Sequence, residues 1–471
     1  MNGIVAYAAY LPYFRLDRQR VAEALGVSAG KGTRSVASYD EDATSMAVEA
    51  GRAALRSAGG VTPQALYFST VDPPYLDKTN ATAIHAALGL EPTALATDMV
   101  GSIRSAAGAM RAALDAPRPT LVTIADVRSG LPGGGDEREA GDAAVAFLCA
   151  PDGPDHRVIA EAVASASATA EFLDRWRVPG ESASRQWEER FGEHAYVPLA
   201  QRALTAVLAQ AGVAAGALDR LIVAGPHARA CRRAAAAAGV KPQALADDLT
   251  ATVGAAGAAQ AGLLLADALD RAQPDQLIAV VSLADGADAT VWRTTAALAG
   301  YSRGATVQQL IASATGRVSY ATFLTWRGRL DREPPRRPDP QAPAAPPAFR
   351  AESWKFAFTG SRCQACGARH LPPQRVCVKC HAVDRMTAER LADVAAVIAT
   401  FTVDRLAYSL SPPVVAAVID FDGGGRFQCE LTDVDPAAVA IGQRVEMTFR
   451  RLFTANGVHN YFWKARPLRT A

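Results

Sequence analysis

The sequence predicts an α/β body made of two similar halves, followed by a short cysteine-bearing segment and a small β-barrel. Short apolar strands alternate with alanine-rich helical stretches over roughly the first 300 residues, the pattern of a layered α/β domain. Glu333 to Pro347, rich in proline and alternating in charge, reads as a stiff, extended linker. Beyond it lie two Cys-x-x-Cys pairs and four strand-like runs, with a turn at Gly423-Gly424-Gly425. The expected boundaries are 1–155 and 156–330 for the halves, 331–350 for the linker, 351–390 for the zinc segment and 391–471 for the barrel.

Each element has its own signal. Ile4 to Tyr10 is an apolar run and reads as the first strand. Asp42 to Ala58 carries small and apolar residues at helical spacing. Ala65 to Thr70 reads as a strand, and Ala81 to Leu88 and Arg104 to Leu114 as helices. Pro119 to Ala125 and Ala143 to Leu148 are two more strands. After Pro151 the scheme restarts with a strand over Arg157 to Ala164. Glu171 to Glu193 is charged and aromatic and reads as an insertion or capping layer. Val197 to Ala211 is helical, and Leu221 to Gly225, Leu277 to Ser282 and Ala289 to Arg293 are strands. Element order alone carries the likeness of the halves. The barrel strands are Val394 to Val403, Val414 to Asp422, Arg426 to Asp433 and Gln443 to Arg451.

Lys and Arg number 49 against 47 Asp and Glu, a formal net charge of +2. That balance gives no electrostatic reason to expect a nucleic-acid partner. Of 7 cysteines, Cys149, Cys231 and Cys429 fall outside the paired motifs, which fits a reducing cytoplasm. The N-terminus has no basic leader and reads as a strand. The uncharged run Leu249 to Ala266 is short and rich in glycine, alanine and threonine, so a buried helix is expected rather than a membrane span.

Cys363, Cys366, Cys377 and Cys380 offer four thiolates from two facing knuckles, the set that tetrahedral zinc takes. A closed, all-cysteine site is structural. Gly367 supplies a tight turn, and Pro372-Pro373 stiffens the connection between knuckles.

The segment Gly360-Ser-Arg-Cys-Gln-Ala-Cys-Gly367, with Leu371-Pro-Pro and Cys377-Val-Lys-Cys380, resembles the zinc-ribbon plus OB-fold module of the domain-of-unknown-function 35 family. That module accompanies enzymes of the thiolase superfamily. Upstream, Gly3-Ile-Val-Ala-Tyr-Ala-Ala-Tyr-Leu-Pro12, Asp40-Glu-Asp-Ala-Thr-Ser-Met-Ala-Val-Glu-Ala50 and Gly141-Asp-Ala-Ala-Val-Ala146 resemble the superfamily itself, nearest ketoacyl-synthase III and hydroxymethylglutaryl-CoA synthase. The resemblance implies a five-layered αβαβα thiolase-like fold with pseudo-twofold halves, usually a homodimer. It implies coenzyme A or carrier phosphopantetheine thioesters as substrates, with an OB-fold module that helps hold CoA.

These relatives place a nucleophilic cysteine at the N-terminus of a central helix, where backbone N–H groups favour a thiolate and line an oxyanion hole. The matching stretch, Asp98 to Met110, has no cysteine; Ile103 stands at that position, between Ser102 and the first-turn residue Ser105. Ser102 is then a substitute nucleophile, a helix cap, or a bystander to non-covalent chemistry. The family's histidine corresponds to His227, a general base or hydrogen-bond donor against a plain loop-end role. Arg229, Arg232 and Arg233 follow it, either toward CoA phosphates or on a solvated helix face. The Gly-rich loop around Gly254 has Ala255 where a polar donor is expected, leaving close backbone approach. Asp72 stands near the expected acid/base carboxylate, or is a turn residue before Pro73-Pro74. Tyr320 is an acid for aldol chemistry or packing between domains. The loop Gly133-Gly-Gly reads as a flexible lid or edge, not a phosphate cradle.

The expected function is that of a hydroxymethylglutaryl-CoA synthase-like enzyme that forms or breaks a carbon–carbon bond without the usual cysteine. The alternatives are an acyltransferase using Ser102 and a non-catalytic acyl-binding partner of a carrier protein or a second condensing subunit.

Overall fold

A computed structural model describes residues 2–28, 30–336 and 338–469. The body holds a nine-stranded sheet system of strands β1 (Asn2–Tyr10), β2 (Ala65–Thr70), β3 (Leu95–Val100), β4 (Thr120–Asp126), β5 (Ala143–Pro151), β6 (Ala160–Thr169), β7 (Arg220–Ala224), β8 (Leu277–Leu283) and β9 (Gly286–Thr294). Their order is β7-β8-β9-β6-β1-β5-β4-β2-β3. The two half-sheets are joined by the pairing of β1 with β6 at Gly3 and Ile4.

The repeat expected from element order is present in the pairing. In the first half β2 is parallel to β3 and β4, and β5 runs antiparallel to β4 and β1. In the second, β7 is parallel to β8, and β9 runs antiparallel to β8 and β6. The counterpart of β3 is reduced to one parallel bridge, Leu221 to Leu245.

Helices fill three layers. Helix α1 (Ala43–Arg56) packs outside the first half, with α2 (Ala81–Leu88) beside it. Helices α3 (Arg104–Asp115) and α6 (Gln260–Arg271) lie between the sheets. Helices α4 (Glu189–Ala211) and α5 (Ala228–Ala236) cover the second half. The chain therefore has the five layers expected. Helix α1 starts at Asp42, whose carboxylate accepts from Ser45 N–H (2.8 Å) while Ser45 Oγ accepts from Asp42 N–H (2.9 Å), a capping box.

Some elements differ from expectation. Helix α4 begins at Glu189, inside the charged stretch read as an insertion or capping layer. Leu249 to Ala259 is not α-helical: Gly254 and Gly257 take positive φ, Gly257–Ala259 makes a single 3-10 turn, and Gln260 bonds Ala256 N–H (2.7 Å) and Asp248 O (2.7 Å), so the α-helix starts only there. The Gly133 loop is pinned, because Gly133 N–H donates to the buried Glu137 carboxylate at 2.6 Å. Residues 345–350, in the linker's last part, form a helical turn. No helix among the described residues is long and apolar enough to cross a membrane.

The barrel closes in the order Ala396–Asp404, Val414–Phe421, Arg426–Leu431, Val458–Pro467 and Arg444–Ala455. Its fifth strand, Val458–Pro467, was not among the four expected. The barrel sits on α1, which is buried between it and the sheet. One continuous apolar core runs from Met46, Val48 and Phe68 to Met447, Phe449 and Trp463. Buried charges span the same junction in pairs: Arg450 with Glu41 (3.0 Å), Lys464 with Asp40 (3.0 Å), and Arg466 with Glu49 (2.9 Å), while Asp433 holds Arg450 from within the barrel (2.6 Å).

Candidate functional site

A cleft of about 720 Å³ opens where the parallel strands of both halves end. Val71 and Asp72 follow β2, Gly101 and Ser102 follow β3, and Val127 and Ser129 follow β4. Pro226 and Asp285 enter from the second half. Ligands of open α/β sheets bind outside such carboxyl ends. Asp126 holds the floor together: its buried carboxylate accepts from Thr70 Oγ1 (2.7 Å), Val71 N–H (2.8 Å) and Ala258 N–H (2.7 Å). Burial pushes its pKa up despite nearby Arg128.

The central helix α3 starts at this floor. Ser102 Oγ accepts from Arg104 N–H at 3.0 Å, so the serine caps the helix. Ile103 lines the cleft beside it. Arg104 ties the helix start to the second half through Asp288 (2.8 Å) and Thr169 Oγ1 (2.7 Å).

The other expected site residues are dispersed. Asp72 lines the cleft, paired with Arg177 at 2.9 Å. His227 is buried and does not line it; its Nδ1 accepts from Ala230 N–H (3.1 Å), capping α5, and its Nε2 donates to Glu189 O (2.7 Å). Arg229 and Arg233 pair with Glu193 on α4, and Arg232 is exposed on the same outer helix. Gly254 sits with φ +94° against the backbone of Ala140, where a Cβ would lie 2.4 Å from the carbonyl oxygen. Tyr320 is buried outside the cleft and donates to Glu137 Oε2 at 2.9 Å. The structure therefore brings Ser102 and Asp72 together and keeps His227, Gly254 and Tyr320 apart from them. Of the remaining cysteines, Cys149 and Cys429 are buried and Cys231 is half-buried; desolvation pushes all three thiols up to about 12.

Three contributors to the cleft were not anticipated. Residues 175–182 fold over its mouth, held by Arg175 to Asp136 (2.8 Å) and by Arg177 to Asp72. Arg327 and Arg329 enter from the turn after Tyr320–Trp326. The barrel supplies Arg451 and His459. Asn456-Gly457, both with positive φ, forms the two-residue turn that returns the chain as the fifth barrel strand. Asn-Gly is a strong hairpin signal, and it would have disclosed that strand.

The metal site is built symmetrically. Gly367 N–H donates to Cys363 O (2.8 Å), and His381 N–H donates to Cys377 O (2.9 Å), both residues having positive φ. The four Sγ atoms lie within 4.8 Å of one another, with Cys363 to Cys380 at 3.6 Å and Cys366 to Cys377 at 3.5 Å. A tetrahedral zinc with bonds of about 2.3 Å sets sulfurs about 3.8 Å apart, so the cage fits that ion.

Residues 356–384 match the family model of the ChsH2 rubredoxin-like zinc ribbon, and residues 389–450 that of the ChsH2 C-terminal OB-fold domain. The chain is a thiolase-like body fused to a zinc ribbon and an OB fold. The body is similar to hydroxymethylglutaryl-CoA synthase of Archaeoglobus fulgidus, 29% identical over 348 residues, covering 70% of this chain and 99% of that protein. The corresponding synthase of Methanosphaera stadtmanae is 27% identical over the same shares. Among solved structures, an HMG-CoA synthase complexed with CoA superposes with a TM-score of 0.59 at 16% identity, covering 68% of this chain and 89% of that one. The 3-oxoacyl synthase III FabH of Pseudomonas aeruginosa gives 0.55 at 18% identity, covering 62% and 98%. The fold of the thiolase-like body is thus that of the condensing enzymes.

Proposed function

We propose that this protein acts on acyl-CoA or carrier-bound thioesters and forms or breaks the carbon–carbon bond beside the thioester through an enolate, with no acyl-enzyme intermediate. The observation that carries this reading is the cleft floor. Ile103 stands at the start of the central helix, Ser102 is used as its cap, and no cysteine lines the cleft among the described residues.

An enolate asks little of a nucleophile. In the cleaving direction a base takes the proton of a 3-hydroxyl group, the bond between Cα and Cβ breaks, and Cβ becomes a carbonyl. The electron pair passes into the thioester enolate, which regains a proton at Cα. Amide groups at the start of α3 stabilise the oxyanion. Condensation is the same sequence reversed. The curated relatives named above are synthases of a 3-hydroxyacyl-CoA, which supports the substrate class.

The OB fold holds the thioester through Arg451 and His459, and the zinc ribbon has a structural role. Edge strand β3, with one side unpaired in the single chain, is the surface for a homodimer. The backbone bonds of His227 favour a second reading, a non-catalytic acyl-binding partner of a cysteine-bearing condensing subunit. Incubation with 3-hydroxyacyl-CoA thioesters separates the readings. Release of a carbonyl compound and a shorter acyl-CoA supports the first. Tight binding without turnover, with co-purification of a condensing subunit, replaces it by the second. An acyl adduct on Ser102 overturns both in favour of acyl transfer.

A further inference from the structure

We propose that the space between the two central helices is a second binding site, one that takes the uncharged hydrocarbon part of a small molecule. The inference goes beyond the thioester reading and concerns a different cavity.

A cavity of about 530 Å³ lies in the middle layer. Ile124 of β4 and Phe147 of β5 line it from one half-sheet, and Val280 of β8 and Ala289 of β9 from the other. The helices bring small residues to it, Ala107 and Gly108 on α3 and Ala261 and Gly262 on α6. Facing small residues let two helices close to about 8 Å. Among the described residues α3 and α6 do not pack along each other, and the space between them stays open. Protein interiors are packed as densely as organic crystals, with few voids larger than a water molecule. A space of this size falls instead within the range of small-molecule sites, about 300–1,000 Å³.

The lining sets the class of ligand. At one end Arg104 donates to Asp288 at 2.8 Å, and Ser167 Oγ donates to the same carboxylate at 2.6 Å. Thr290 Oγ1 lies 3.3 Å from Ser165 Oγ. Arg111 is exposed at the rim. A charge taken inside would meet no unpaired counter-charge, so the body of the ligand is uncharged. Trp292 lines the same space and is 3% exposed, and its Nε1 is buried with no acceptor among the described residues. A buried donor of this kind is uncommon and fits a ligand that carries one acceptor oxygen.

Lining residues run along α3 from Arg104 to Leu114, a distance of about 15 Å and the extended length of about ten to twelve carbons. Two sources share this chemistry. Ser102 and Ile103 line the cleft and Arg104, next in sequence, lines the cavity, so the acyl chain of a thioester seated in the cleft is one source. A free apolar molecule is the other.

An uncharged fluorescent probe, N-phenyl-1-naphthylamine, tests the site in the full chain. A Cβ on Gly108 would meet no atom within 4 Å, so the ring of Gly108→Phe has room to enter the cavity. Phenylalanine also has the higher helix propensity at that exposed position, so G108F keeps the fold. Ala261→Phe fills the cavity from the facing helix. The parent should bind about one probe per chain, and each variant should bind it about tenfold more weakly or worse. Displacement of the probe by decanoyl-CoA but not by acetyl-CoA assigns the site to the acyl chain. Displacement by decan-1-ol but not by decanoyl-CoA assigns it to a free molecule. No probe binding in the parent, or equal binding in the parent and a folded variant, overturns the inference and leaves the thioester reading standing. Failure of acetyl-CoA to bind, followed separately by calorimetry, counts against the thioester reading alone.

Discussion

Arg52 Nη1 on helix α1 donates to the backbone carbonyl of Met447 in the barrel across 2.9 Å. The same guanidinium reaches Ala392 O at 2.6 Å and Glu49 at 2.9 Å, and it lies over the Trp463 ring at 4.8 Å. One buried side chain thus joins the body, the start of the OB fold and the far side of the barrel. Arg52→Met would leave Glu49 with one cation fewer and two carbonyls bare. Breaking a buried pair of this kind costs about 3–5 kcal/mol. Urea denaturation should show that loss, with body and barrel unfolding in a single transition in the parent.

Acid should loosen the same junction. Burial alone would raise the Glu49 pKa, but Arg52, Arg466 and Arg450 more than offset it and hold the carboxyl at about 2. A carboxylate depressed in the folded state contributes stability above its unfolded pKa of about 4.3. That contribution is lost as pH falls from there through about 2. Urea midpoints should therefore drop over this window, and Glu49→Gln, weaker at neutral pH, should show a shallower drop.

Ser102→Ala tests the proposed absence of an acyl-enzyme. Loss of the cap to Arg104 N–H should cost about 0.5–2 kcal/mol of stability. Thioester turnover should persist within a few-fold. Intact mass after exposure to an acyl-CoA panel should show no adduct in either protein.

His227→Ala should act on folding. It removes a cap from α5 and the bond to Glu189 O, together worth about 1–3 kcal/mol. The rate–pH profile of whatever activity remains should keep its midpoint, which a titrating catalytic histidine would not allow.

Zinc content should be about one per chain in protein purified without chelator. Cys377→Ser should lower it and loosen residues 359–390, read out as faster proteolysis there. Cys149 and Cys429 should resist thiol reagents until the chain unfolds, because burial keeps them as thiols.

The layered body was legible because its strands and helices are locally consistent. Ala81–Leu88 falls at the residues expected, and Arg104–Asp115 extends one residue beyond. The zinc cage was legible from spacing alone. The cleft was less so, because its chemistry comes from chain segments far apart. Ser102 and Asp72 follow neighbouring parallel strands, a relation that strand order supports. His459 comes from the fifth barrel strand, some 385 residues beyond Pro74. Only closure of the barrel and its docking on α1 bring them together. His227 shows the converse case: a histidine after a strand at a helix start is read as reactive, while its environment uses both nitrogens for backbone bonds.

The unequal edges of the two half-sheets carry one more consequence. The second half ends on a strand flanked by the Leu221–Leu245 bridge, and the first ends on β3 with one side bare. A contact that joined the first edge to the second would be head-to-tail and could repeat into a filament. A bare edge that pairs with its own copy uses itself up. The homodimer proposed through β3 would be isologous and would stop at two copies, so the asymmetry between the halves would limit the size of the particle.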